Sequence, residues 1–319
     1  MLRGEIPEFM PAYVEPHMMP IQEELLTPQA VPDGPFVTSL GVTYVGGPEN
    51  NYGAMPEPGK IVISDITKWR DQLKIRDIAG RDWEGYYKKQ LESIDREKLC
   101  VGCGGGDYFL TLVSLMSFEG ALLAMYEEPE EVIALFEHIS EFYLTVLKQQ
   151  LLYVKPDIYI LMDDDSAYRA PFFSLEMHRK LIRPFQKRHC DLILDAGGVI
   201  NRHDCGKSEQ YIDDWLELGI TAWNPVQITN DCVGIKKKYQ GRLALEGCWD
   251  MQGWTARPGD CEKALKDALA EYVDTFAPNG GFTYAAAIGG PMDDPEANVK
   301  RDIIKDFYYD YARDWYKTH

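Results

Sequence analysis

The chain has 319 residues, 45% of them hydrophobic and 12% aromatic, and a net charge of −18. That length suits one α/β barrel or two smaller domains, and the apolar content supplies a large core, which excludes a disordered chain. The acidity excludes a nucleic-acid-binding face, because phosphate recognition needs clustered Lys and Arg.

Seven cysteines, odd in number and scattered, lack the dense pairing of a small secreted scaffold and read as reduced thiols of a cytoplasmic protein. The N-terminal MLRGEIPEFMPAY places Glu5, Glu8 and two prolines where a signal peptide needs an apolar run. The most apolar stretch, FLTLVSLMSFEGALLAMY (109–126), is interrupted by Glu119 and Gly120. It reads as buried helix rather than a membrane span.

In chain order, EFMPAYV (8–14) reads as a strand, and residues 28–60 form a Pro/Gly-rich excursion, either a long loop or a small hairpin. KLCVGC (98–103) is a strand and residues 135–154 a helix. IYILMDDD (158–165) is a short apolar run that ends in acids. From Ser174 the apolar residues recur at helical spacing as far as Gly197 and Gly198, and GVINRHDC (198–205) is the next strand. KSEQYIDDWLELG (207–219) reads as a helix stopped by Gly219.

The pattern then repeats through ITAWNPV (220–226), DCVGIKKKYQG (231–241) and LALEGCWD (243–250). A helix over 259–276 carries Leu265, Leu269 and Tyr272 on one face. FTYAAAIGG (282–290) is the last strand, and a final helix follows near ANVKRDIIKDF. Strands alternating with helices mean βαβ units and a parallel sheet. With about eight strands expected, the architecture is a single (β/α)8 barrel over 1–319 with an irregular N-terminal segment; a doubly wound open sheet is the alternative.

In such a barrel the chemistry sits at the C-terminal ends of the strands. Those ends carry Asp163, Asp164 and Asp165; His203, Asp204 and Cys205; Asn224; and Glu246, Cys248 and Asp250. A single strand-end Asp is often only a helix cap. Side chains in a strand alternate, so His203 and Cys205 point one way and Asp204 the other; Glu246, Cys248 and Asp250 share a phase in the same manner. An imidazole and two thiolates at one barrel mouth would suit zinc with a position left open for substrate. The bland reading makes Cys205 and Cys248 small buried hydrophobes.

VGCGGGDY (101–108) resembles a phosphate loop, but Asp107 replaces the third glycine of the dinucleotide fingerprint. Cys100 and Cys103 have no second pair to join, and alternation sends them to opposite faces.

The run MDDDSAYRAPFFSLEMHRKLIRPFQKRHCDLILDAGGVINRHDCGK (162–207) resembles the uroporphyrinogen decarboxylase superfamily. An acidic strand end, a Ser-led helix interrupted by Pro and an H-x-C-G strand end occur there in this order, and the likeness continues through GCWD and GGFTYAAAIGG. The resemblance implies a (β/α)8 barrel and two possible activities. A decarboxylase of the multiply carboxylated tetrapyrrole needs an Arg-rich N-terminal pocket, whereas the first 60 residues hold only Arg3 and Lys60 as side-chain cations.

The H-x-C-G motif is similar to the branch of zinc methyltransferases that pass methyl groups to or from a corrinoid on a separate protein. In that branch His203 and Cys205 match the first two zinc ligands. Its third, a Cys at the last strand, is replaced here by Ile288 and Gly289; Cys248 or Glu246 would have to substitute. GAMPEPGKIVISDITKWRD (53–71) is similar to the methoxyaromatic (veratrol) subgroup, the first components of O-demethylase systems. Demethylating an aryl ether expels a phenoxide whose conjugate acid has a pKa of about 10. A Lewis acid or a buried proton donor would lower that barrier. Asp163, Asp164 and Asp165 are the candidate acids, with Tyr168 in support, and the alternative activity is a metal-free lyase of the decarboxylase type.

Overall fold

A computed structural model describes residues 1–15, 17–28, 30–32, 34–48, 51–259 and 261–319. Gln29, Asp33, Glu49 and Asn50 of the Pro/Gly-rich excursion, and Asp260 near the start of the helix expected from 259, lie outside the described residues. The chain divides into two compact units.

The first unit comprises Met19–Asp164 and Phe173–Gly198. After β1 (Met18–Pro20), the Ile21 N–H donates to the Gly102 carbonyl at 2.8 Å. β2 (Phe36–Val37), β3 (Thr43–Val45) and β4 (Met55–Pro56) make a small antiparallel sheet with Phe36 opposite Tyr44 and Val45 opposite Met55. The excursion is therefore of the hairpin kind. β5 (Cys100–Gly105) runs parallel to β6 (Ile158–Met162), with Cys103 opposite Tyr159. Strand alternation leaves Cys100 exposed and Cys103 buried, and burial pushes the Cys103 thiol up to about 12.

The helix Pro129–Gln149 starts with Pro at its first position and Glu130 and Glu131 in its first turn, where the missing proline N–H costs nothing and acids meet the positive helix end. Val132, Leu135, Phe136, Ile139, Tyr143 and Val146 form its buried stripe, each worth ~1.5–3 kcal/mol when fully buried. The apolar 109–126 stretch is two helices, Phe109–Met116 and Phe118–Glu127, bent by 113° where Ser117 takes φ +87°. Among the described residues no single helix is long and apolar enough to cross a membrane. The helical run opened by Ser174 also breaks in two, Leu175–Leu181 and Arg183–Asp195. Pro184 cannot donate its N–H and its ring clashes with the carbonyl four residues back, so one continuous helix is impossible there.

The second unit comprises Met1–Met18, Asp165–Phe172 and Val199–His319. Its strands β7 (Val199–His203), β8 (Ala222–Val226), β9 (Ala244–Gly247) and β10 (Phe282–Thr283) lie parallel in sequence order. Helices follow them, among them Ile212–Glu217, Cys232–Lys238 and Glu262–Phe276. This is the repeating unit of a (β/α)8 barrel.

The register pairs Asn201 with Ala222, His203 with Asn224, Trp223 with Leu245 and Glu246 with Thr283. Trp223 packs on Trp215 of the helix layer, ring centroids 5.3 Å apart. By alternation, His203, Asn224, Glu246 and Thr283 fall together on the opposite face.

Two expected strands are shorter than their sequence implies. Residues 8–14 contribute only a bridge, Ala12 to Tyr284, because Pro7 and Pro11 have no N–H for a ladder. β10 stops at Thr283, where Tyr284 exchanges backbone hydrogen bonds with Pro11 and Tyr13; the alanines that follow have little strand preference.

Candidate functional site

His203 is the last residue of β7, and Cys205 follows in the strand-end loop. Burial alternates through this stretch: Arg202, Asp204, Gly206 and Ser208 are buried, while His203, Cys205 and Lys207 are half-exposed. The His203 Nδ1 lies 2.8 Å from Asn224 Oδ1, and its Nε2 lies 3.8 Å from Cys205 Sγ. A Nδ1–H donated to the Asn224 oxygen fixes the ring and its tautomer, and leaves the Nε2 lone pair aimed at the thiol side. This is the arrangement of a metal-ligating histidine with its orienting partner. An imidazole nitrogen and a thiolate are donors of the kind zinc takes.

Gly206 answers why the motif continues H-x-C with glycine. Its φ is +85°, and a Cβ there would sit 2.5 Å from the Ser166 carbonyl oxygen and 2.6 Å from that of Ala167. Its N–H donates to Gln227 Oε1 at 2.7 Å and its carbonyl accepts from Asn230 Nδ2 at 2.8 Å. Gly206→Ala is expected to cost about 2–5 kcal/mol from the left-handed backbone and the backbone clash together. Urea unfolding checks this; an unchanged midpoint would show that the loop relaxes freely.

The three consecutive acids have separate fates. Asp163 is buried and accepts the backbone N–H groups of Tyr108, Phe109 and Leu110 at 2.9–3.0 Å, which caps the helix Phe109–Met116 from outside it. Asp165 is also fully buried, paired with Arg202 Nη2 at 2.7 Å. The same guanidinium reaches Asp204 at 2.6 Å, and Asp204 also accepts from Ser208 Oγ at 2.7 Å. Asp164 has the opposite phase and is half-exposed. Tyr168 is 58% exposed on the surface loop, and its carbonyl accepts from the Thr229 hydroxyl.

Glu246 and Cys248 lie apart from the His203–Cys205 pair: neither joins the two in a set of ligand atoms all within 4.8 Å of one another. The Glu246 carboxylate accepts from Asn201 Nδ2 at 2.8 Å and from the Tyr13 hydroxyl at 3.3 Å. Desolvation raises its pKa to about 7, against the pull of those two donors. Cys248 is buried and takes φ +62°, and burial pushes its thiol well above the ordinary range.

Strand phase alone misplaces Cys248, because β9 ends at Gly247 (φ +141°) and the chain turns there. Cys248→Ser is therefore expected to leave zinc content unchanged and to cost ~1–2 kcal/mol of stability. Elemental analysis of the folded variant checks it, and loss of metal would return Cys248 to the ligand set.

Sequence reasoning passed over Arg202, Gln227 and Asn230. Arg202 carried a signal: it sits one residue from His203 in a strand, so it must point to the other face, and a cation there needs buried acids.

Parallel strands in sequence order and a strand-end histidine–cysteine pair define a barrel protein with a candidate metal centre. The chain belongs to the uroporphyrinogen decarboxylase (URO-D) family, whose model matches residues 88–303, about two-thirds of the chain; the fold of that family is a (β/α)8 barrel. Among solved structures, a methyltransferase from Methanosarcina mazei is similar in fold, with a TM-score of 0.58 and 13% identity over 92% of this chain and 80% of that one. A sugar phosphate isomerase/epimerase from Parabacteroides distasonis ATCC 8503 shares 11% identity over 75% of this chain and 81% of its own, at a TM-score of 0.32. No curated protein matches the chain.

Proposed function

We propose that this chain is a zinc-dependent methyltransferase that takes a methyl group from a methoxylated aromatic and passes it to the corrinoid of a separate protein. One observation carries the reading: His203 Nε2 and Cys205 Sγ lie 3.8 Å apart with the imidazole oriented by Asn224. The likeness to the Methanosarcina mazei methyltransferase supports it.

The residues fit a zinc ion, which would supply Lewis acidity toward the departing oxygen. His203 and Cys205 would hold it. Asp163 is committed to capping a helix and Asp165 to Arg202. Asp164, half-exposed at the end of β6, is the carboxylate we assign to the reaction. Asn224 keeps the His203 ring in place. Burial raises the Glu246 pKa to about 7, so this carboxyl can take up or release a proton near neutral pH, and it accepts a hydrogen bond from the Tyr13 hydroxyl, whose residue is 48% exposed.

The lyase alternative requires open cations to grip a multiply carboxylated substrate. Arg202 cannot serve, being fully buried between two carboxylates.

The chain alone is expected to be inactive on methoxyaromatics, and to become active when a reduced corrinoid protein is added. Growth of the methylcobalt absorption band measures the transfer. Release of the phenol without any corrinoid protein would overturn the division of labour between two chains.

A further inference from the structure

The N-terminal ends of three strands of the second unit enclose a cavity of about 390 Å³. Ile220 and Thr221 before β8, Leu243 before β9 and Gly281 before β10 line it. Residues 1–4 form one wall. The Gly4 N–H donates to the Met1 carbonyl at 2.9 Å, so these residues make a turn, and the Thr283 hydroxyl of β10 donates to Met1 Sδ at 3.6 Å. Gly4 lies against the loop after the helix Cys232–Lys238: a Cβ there would come 3.4 Å from the Gly241 carbonyl oxygen. β7 and β8 are parallel, and His203 and Cys205 stand where β7 ends. The cavity is therefore at the opposite end of the strands from the chemistry, and its occupant is not the methyl donor.

The charge of this cavity is opposite to that of the chain. The protein carries 51 Asp and Glu against 33 Lys and Arg. Yet none of the described residues lining the cavity is acidic, and two of them, Arg3 and Arg242, are cations. Glu5 and Glu217, next in sequence to Gly4 and Leu216, do not line it. Both arginines are exposed. Among the described residues Arg242 makes no ion pair; its guanidinium lies 5.3 Å from the Tyr239 ring. Lys236 adds a third positive charge behind the wall: its ammonium bonds the Gly280 carbonyl and would lie 4.0 Å from a Cβ on Gly281. A cleft lined by one sign of charge concentrates ligands of the other sign. An arginine fork matches the oxygens of a phosphate or a carboxylate. Much of the remaining wall is apolar, from Leu2, Leu216, Ile220 and Leu243.

We infer that this cavity is a second ligand site, for a phosphate monoester whose organic part is apolar. A phosphate monoester carries about −1.5 to −2 charges at pH 7, which two guanidinium groups balance; a carboxylate carries only one. Arg242 and Arg3 take the phosphate oxygens, and the leucines and Ile220 take the apolar part. Gly241 has φ +74° and nothing within 4 Å of a Cβ built on it, so it leaves open backbone beside Arg242 for the ligand to approach. The volume falls in the range of about 300–1,000 Å³ usual for small-molecule sites. This site is independent of the methyl-transfer reading, and its test needs no methyl donor.

The purified chain is titrated with phenyl phosphate by calorimetry, with NMR of the backbone amides beside it. One-to-one binding is expected, with the Gly241 and Gly281 amides shifting and the Gly206 amide, in the loop after His203, unmoved. Arg242→Gln is expected to weaken binding about tenfold or more through loss of a charge-assisted contact. Its circular dichroism should not change, because the side chain is exposed. His203→Ala is expected to bind phenyl phosphate as wild type does. Inorganic phosphate and benzoate should each bind about tenfold or more weakly than phenyl phosphate, the first for want of an apolar part and the second for want of charge. No binding at millimolar phenyl phosphate, or unchanged affinity in Arg242→Gln, would overturn the site. Shifts at Gly206 in place of Gly241 and Gly281 would overturn it too. Benzoate or inorganic phosphate binding as tightly as phenyl phosphate would overturn the ligand class. Should Arg242→Gln not fold, the wild-type amide shifts and the ligand series still decide both points.

Discussion

Arg202→Met is expected to lower stability by ~3–5 kcal/mol, the cost of leaving buried charge uncompensated. The guanidinium is completely buried, paired with Asp165 at 2.7 Å and Asp204 at 2.6 Å, and stacked near Trp215 at 5.7 Å. Asp204 also holds Ser208 Oγ and the Asp165 N–H, so the two strand-end loops share this one cluster. A protein of ordinary stability, ~5–15 kcal/mol in total, would lose a large fraction of it. Methionine has similar length and packs well, so the loss is due to charge rather than to a cavity. Urea unfolding of the variant measures it, and adding Asp165→Asn to Arg202→Met should recover part of the loss. A midpoint within experimental error of wild type would mean that the cluster is not a structural keystone.

His203→Ala and Cys205→Ala should each abolish stoichiometric zinc and reduce methyl transfer by several orders of magnitude, while the barrel stays folded. Both side chains are half-exposed at a strand end, so removing them opens no core cavity. Removing either of two soft or borderline donors leaves too few ligands for a closed or three-ligand site. Asn224→Ala should act more mildly, weakening zinc about 10–100-fold through a loosened imidazole. Elemental analysis beside circular dichroism reads all three variants. A folded His203→Ala protein that keeps one zinc would exclude His203 as a ligand.

Much of the frame was legible because periodicity reports it. The alternation of β7 through β10 with helices follows from runs such as GVINRHDC and ITAWNPV, and Leu265, Leu269 and Tyr272 are buried on one face as their spacing implies. The failures have local causes. Pro184 cuts a helix whose apolar pattern runs through it, and the prolines near Ala12 reduce an expected strand to one bridge.

At the site, the likeness of His203 and Cys205 in type and spacing was readable, but their orienting partner Asn224 depends on the β7–β8 register. The three acids looked equivalent in MDDD, and only the fold distinguishes a helix cap, a half-exposed carboxylate and half of an ion pair. Strand phase does not carry over to Cys248, because the chain has left β9 by that residue.

The most direct test of the account is zinc-edge X-ray absorption on protein purified without chelator. We expect close to one zinc per chain, with one sulfur neighbour at ~2.3 Å and the remaining neighbours nitrogen and oxygen at ~2.0–2.2 Å. The sulfur contribution should disappear in Cys205→Ala and persist in Cys248→Ser. A protein that takes up no zinc, or a spectrum with two sulfur neighbours, would contradict the centre described here.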